Sequence, residues 1–135
     1  MQKTRSRRPQ KTTRRFARGL AVRRAVLCAK YVDESMANAD DLTQPLQELV
    51  TDYCWGAIWT RPGLSRKTRS LINLAMLTAL NRPHEIRLHL RGALANGCSK
   101  TEIREVLLQT AIYCGVPAAI DSFRVAREVL ADAGA

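Results

Sequence analysis

Glu85 and His89 stand four residues apart in the stretch Asn81–Gly97, which reads NRPHEIRLHLRGALANG. Residues i and i+4 share one face of a helix, so a carboxylate and an imidazole are expected side by side. An imidazole with its ordinary pKa of about 6.5 can deliver or accept a proton at neutral pH, and a neighbouring carboxylate orients it and favours the imidazolium. The same pair is also what an exposed helix uses as a surface contact worth a few tenths of a kcal/mol. Arg82 and Leu88 lie close to that line, whereas His84 points elsewhere and reads as surface. A zinc site of the HExxH kind is excluded by spacing, because His89 comes one residue too late.

The elements that would position this pair are helical. Asn81 offers a cap, Pro83 suits a first turn and Gly97 is a natural terminator. Ser99-Lys-Thr-Glu102 is a capping box that opens the next helix, with Ile103, Val106, Leu107, Thr110 and Ala111 at helical spacing. Pro117 opens a last helix that runs to about Ala131. Upstream, Phe16 to about Ala37 is compatible with one helix, and Asp41 or Thr43 can cap another over Gln44–Trp59. Leu64–Leu80, with Ser65 as its cap, is apolar on most faces and is expected to be the central buried helix. The sum is an all-α fold of about six helices with no convincing strand.

Two further clusters carry possible chemistry. Tyr53, Trp55 and Trp59 end just before Arg61-Pro62-Gly63, a tight-loop signal. They read either as core packing or as walls of a pocket for a flat anionic ligand. Arg66, Lys67 and Arg69 crowd a helix start, where they oppose the dipole. They are tolerated surface charge or mark a site that wants positive potential.

The net charge of +10 belongs mostly to one end. Residues 1–18 hold eight Lys or Arg and no acid, and the rest holds 14 basic and 12 acidic residues. Residues 1–15 read as a disordered basic leader and residues 16–135 as a single domain. A nucleic-acid-binding arm is the alternative for the leader, but it lacks interleaved aromatics for base stacking, so no nucleic-acid partner is expected. No stretch approaches the roughly 20 apolar residues of a membrane span. Cys28, Cys54, Cys98 and Cys114 are scattered without a CxxC pair, as expected of reduced thiols in a cytoplasmic protein.

In order along the chain stand WTRPGL (59–64), TRSLINLAML (68–77), HLRGALANG (89–97) and EIREVLLQTAIYCGVPAA (102–119). Together they resemble the carboxymuconolactone decarboxylase family, within the alkylhydroperoxidase D-like superfamily. The likeness runs from about Phe16 to Leu130 and implies an alkylhydroperoxidase D-like helical bundle. The superfamily's peroxidase branch carries two cysteines and a relay glutamate ahead of the shared histidine. Here His89 is kept, but those places hold Arg82, Glu85 and Ser70. Without a dithiol there is no peroxide reduction by disulfide exchange.

The resemblance implies cofactor-free and metal-free decarboxylation of 4-carboxymuconolactone to 3-oxoadipate enol-lactone, in the β-ketoadipate route of protocatechuate catabolism. The lactone carbonyl takes up the electrons left by CO2, so the protein holds the leaving carboxylate, stabilises the developing oxyanion and returns a proton. His89 is expected to deliver the proton and Glu85 to orient it. Arg61 and Arg69, then Arg91 and Arg82, are the expected carboxylate partners, since arginine's planar fork matches a carboxylate. Trp55, Trp59 and Tyr113 would form walls, and Cys114 is placed as a site residue by the YCGVP string. Trimers or hexamers with sites near subunit boundaries are implied as well. In the family the VRRAVL string is followed by a glycine and then a histidine, whereas here Cys28 and Tyr31 stand there. The alternatives are an enzyme acting on another lactone or a β-keto acid, and a non-catalytic helical oligomer with a nucleic-acid-binding arm.

Overall fold

A computed structural model describes residues 12–135. Seven α-helices follow one another: α1 (Arg14–Leu27), α2 (Ala29–Ala37), α3 (Gln44–Leu49), α4 (Arg66–Ala79), α5 (Pro83–Ala95), α6 (Lys100–Tyr113) and α7 (Val116–Asp132). Helix α3 runs straight into a π-helical segment, Val50–Ile58. No strand occurs among the described residues, and no helix among them is long and apolar enough to cross a membrane.

Local sequence sets most of the boundaries. The Ser65 hydroxyl accepts from the Thr68 amide at the start of α4. At the start of α6, Ser99 and Glu102 cap each other reciprocally. Glu102 also pairs with Lys67 of α4 at 2.8 Å, which ties the two helix starts together. Gly97, at φ 88°, ends α5 in a conformation that glycine adopts without a Cβ clash.

Four expectations are corrected. The helix expected over Phe16–Ala37 is two helices, because Cys28 takes φ 79° and ψ 129° and breaks the hydrogen-bond ladder; this raises the helix count from about six to seven. Its start is Arg14, capped by the Thr13 hydroxyl, two residues ahead of Phe16; the leader expected over 1–15 lies outside the described residues as far as residue 11. Asn81 does not cap α5. At φ 54° it turns the chain after α4, and Arg82 holds the N-cap position without a side-chain bond. Finally, α4 is not buried all round: Leu74 is fully enclosed, but Ile72, Met76 and Leu80 lie on the surface.

The core falls into two apolar clusters. One lies among α4–α7 and contains Leu74, Ile86, Leu90, Ile103, Leu107, Ala126 and Val129. The other joins α1 to the π segment through Val22, Val26, Trp55 and Trp59. A glycine contact brings α1 and the π segment together. A Cβ on Gly19 would sit 2.3 Å from the Thr51 carbonyl oxygen and 2.6 Å from the Gly56 nitrogen. The two clusters meet along α1 and α5, where Gly92 lets Val26 approach so closely that a Cβ would lie 2.9 Å from its Cγ1.

Candidate active site

His89 sits where the two clusters meet. Its helix gives Ile86, Leu90 and Ala93 to the α4–α7 core, while the imidazole faces Trp55 of the other cluster. The two rings are parallel within 2°, with centroids 6.4 Å apart. Trp55 in turn stacks on Trp59, the C-cap of the π segment, with centroids 4.7 Å apart. Both indoles are buried. They pack in the core with Val22 and Val26, and Trp59 also lines a cavity beside Arg61.

The ring nitrogen Nδ1 of His89 is met by Asn73 of α4, whose Nδ2 lies 3.4 Å away. An amide N–H donates to an unprotonated Nδ1, which puts the proton of the neutral imidazole on Nε2. Burial holds the His89 pKa below the ordinary histidine value, and the charge of Glu85 opposes that shift. Glu85 itself is exposed. Its contribution is electrostatic, and Asn73 supplies the directional contact expected of it. Asn73 was invisible as a site residue because its partner lies on another helix.

The expected cations divide into three places. Arg69 lies one turn before Asn73 on α4; its Nη2 donates to the Arg61 carbonyl at 3.3 Å and its buried Nε has no partner. Arg61 lines a cavity of about 390 Å³ with Arg18, Arg66, Trp59, Val22 and Leu64. Arg91 lines another of about 250 Å³ with Leu27, Cys28, Tyr31 and Leu88, where Lys30 and Glu34 pair at 3.9 Å. Arg82 is exposed.

Tyr113 and Cys114 are not brought to His89. Tyr113 is 82 % exposed at the end of α6, beside a cavity of about 300 Å³ that includes Leu71, Ile72 and Val106. Cys114 is exposed at the C-cap of the same helix. Ser70, in the place of the peroxidase relay acid, is fully buried and accepts from Asn96 Nδ2 at 2.9 Å, so that place is filled by a neutral hydrogen bond.

An all-helical bundle of the alkylhydroperoxidase D-like kind, carrying a histidine without the peroxidase thiols, is the class that this fold and site define. A family model described as carboxymuconolactone decarboxylase matches residues 44–128. The chain belongs to that family. It is 42 % identical to 4-carboxymuconolactone decarboxylase of Acinetobacter baylyi over 120 residues, which is 89 % of this chain and 90 % of that protein. It is 43 % identical to a nitrosuccinic acid decarboxylase of Metarhizium robertsii over 119 residues, 88 % of this chain and 83 % of that one. Both relatives are decarboxylases by name, and the present chain is an enzyme of the same carboxy-lyase class.

Proposed function

We propose that the protein decarboxylates 4-carboxymuconolactone to 3-oxoadipate enol-lactone within protocatechuate catabolism in the cytoplasm. The observation that carries this reading is His89, half-buried, parallel to Trp55 and held at Nδ1 by Asn73. With Nδ1 occupied, proton traffic runs through Nε2.

Loss of CO2 from the γ-carbon sends its electron pair through the C=C into the lactone carbonyl. The resulting dienolate oxygen bears the negative charge until the α-carbon takes a proton. The indole beside the imidazole and the partial burial of His89 lower the local polarity, which strengthens charge interactions made there. Arg69, one turn from Asn73 and with an unpaired Nε, is placed to hold anionic character on the substrate. A bound dianion raises the affinity of His89 for a proton, which offsets the effect of burial and arms the imidazole as the acid. Glu85 adds to that in the free enzyme.

The subunits are proposed to assemble, as a trimer or hexamer. Leu42 just before α3, Leu46, Leu49 and Tyr53 along α3 and the π segment, and Ile112, Tyr113, Val116 and Ile120 around the α6–α7 turn, are large apolar side chains on the surface. Association of copies would cover them. In that setting Tyr113 and Cys114 would reach a neighbouring copy's site instead of their own.

The test is turnover of 4-carboxymuconolactone followed by ultraviolet absorbance. The wild type should consume it, and folded His89→Ala should lose about 10²–10⁴-fold in kcat, the usual worth of a positioned general acid. Full activity in His89→Ala rejects the proton-donor role. A second reading, decarboxylation of another small carboxylic acid, is supported by Cys28 and Tyr31, which line the 250 Å³ cavity at places where the family pattern has glycine and histidine. Turnover of a nitro- or keto-substituted dicarboxylic acid without turnover of the lactone would select it.

A further inference from the structure

Arg23 is the one arginine of α1 that is buried, at 5 % exposure. Two other arginines of the helix have acids. Arg24 donates to Asp33 at 2.8 Å, and Arg15 forks onto Asp52, with Nε at 3.0 Å from Oδ1. Arg23 has none. Its Nη1 donates to the Thr51 hydroxyl at 3.0 Å, and its Nε is buried without a partner. The titratable groups that face it are the Tyr31 phenol and the Cys54 thiol, neither of them a carboxylate. Burial lowers its pKa from the usual arginine value, yet a guanidinium keeps its proton in proteins. A buried cation left without an anion is costly, and a protein that only needed packing there would gain by an apolar residue.

The place of this charge gives it a use. Thr51 lies one turn before Trp55 on the π segment, and Trp55 is the ring parallel to His89. Tyr31 lines the 250 Å³ cavity, which Leu88 and Arg91, the residues around His89 in sequence, close from the side of α5. We propose that Arg23 is a substrate-binding residue, the buried fork that receives one carboxylate of the substrate entering past Tyr31. This rests on the decarboxylase reading for the identity of the substrate, but the anion site itself does not. The ligand class is a small dicarboxylate with a flat or unsaturated body, one carboxylate on Arg23 and the rest against the indole wall.

The test uses the full chain with Arg23→Met, Arg23→Lys and Thr51→Val, and adipate as a plain dicarboxylate probe. Adipate should raise the melting temperature of the wild type and not that of Arg23→Met. Without ligand, Arg23→Met should melt at or above the wild-type temperature, since an unpaired buried charge is gone. With 4-carboxymuconolactone, KM should rise about 10- to 100-fold in Arg23→Met, as expected for loss of a charged hydrogen-bonded contact, with a smaller change in kcat. Arg23→Lys, which keeps the charge but not the fork, should fall between, and Thr51→Val should raise KM less. Should Arg23→Met fail to fold, the Lys and Val variants carry the same ordering. Unchanged KM in Arg23→Lys, or an equal adipate response in Arg23→Met and wild type, overturns the proposal. So does a changed subunit number in Arg23→Met with unchanged KM, because the missing anion would then be an acid of a second copy. If adipate binding depends on Arg23 while no variant consumes the lactone, the anion site stands and the lactone reading falls.

Discussion

Asn73 Nδ2 and His89 Nδ1 meet at 3.4 Å across the α4–α5 packing surface, with the ring nitrogen as acceptor in the Nε2–H tautomer. A donor at Nδ1 favours the neutral ring and leaves Nε2 as the face open to chemistry.

Asn73→Asp should therefore raise the His89 pKa, since a carboxylate accepts from Nδ1–H and favours the imidazolium. In the wild type, kcat/KM for an acid-dependent step should fall as pH rises through a pKa lying below the ordinary histidine value of 6.5. In Asn73→Asp that limb should move to higher pH, and in Glu85→Gln to lower pH, because Glu85 opposes the burial shift. Profiles from pH 5 to 9 read both. A limb that stays put in Asn73→Asp would exclude the contact from the chemistry.

Stability should follow the same group. The folded-state His89 pKa is lowered, so the unfolded chain takes up a proton that the folded site resists. Stability is then full above about pH 6.5 and declines as pH falls below it, toward the folded pKa. The carboxylates held down by partners, Asp52 by Arg15 and Glu102 by Lys67, act at lower pH, where their protonation removes those contacts. Urea unfolding at pH 7.5 and 5.5 should show a smaller decline in His89→Gln than in the wild type.

Gly19→Ala should destabilise the protein by about 1–3 kcal/mol, the usual cost of overpacking. The new Cβ would meet backbone atoms of Thr51 and Gly56, which cannot rotate away. The helices must part, and Trp55 moves with them. A loss of activity larger than the loss of stability predicts is the expected signature, measured on the folded fraction.

Cys28→Gly should stabilise by about 1 kcal/mol, because a side chain at φ 79° and ψ 129° carries strain that glycine avoids. Cys28→Val should cost stability for the same reason. The midpoint of chemical unfolding, at unchanged slope, reads both.

Ser99→Ala should cost about 1 kcal/mol by removing one half of the α6 capping box. An unchanged melting temperature would show that the Lys67–Glu102 pair alone holds that end.

Punctuation and short-range pattern were legible in the chain. Pro83 through its fixed φ, Gly97 through its positive φ, and Ser65 and the Ser99–Glu102 box through bonds to near neighbours mark helix ends, and the structure keeps each of them. The partners of the site residues were not. Asn73 reads as one polar residue in an apolar helix until α5 is laid against it. Arg23 and Arg24 are adjacent and alike in sequence. Tertiary packing separates them: the first meets Thr51 of the π segment and the second Asp33 of α2. Tyr113 entered as a wall residue and Cys114 through likeness of a string, and neither route shows that both side chains end exposed at the end of α6.

The junction between the two apolar clusters has one more consequence. Trp55 belongs to one packed body and His89 stands on the helix that lends Ile86, Leu90 and Ala93 to the other, with Gly92 and Val26 along their common boundary. The spacing of the two rings is thus a property of the seam and not of either interior. A methyl group added at Gly92 would press on Val26, a core residue of the first body, and so shift wall against imidazole. Fold stability and ring spacing are therefore set by the same few seam contacts.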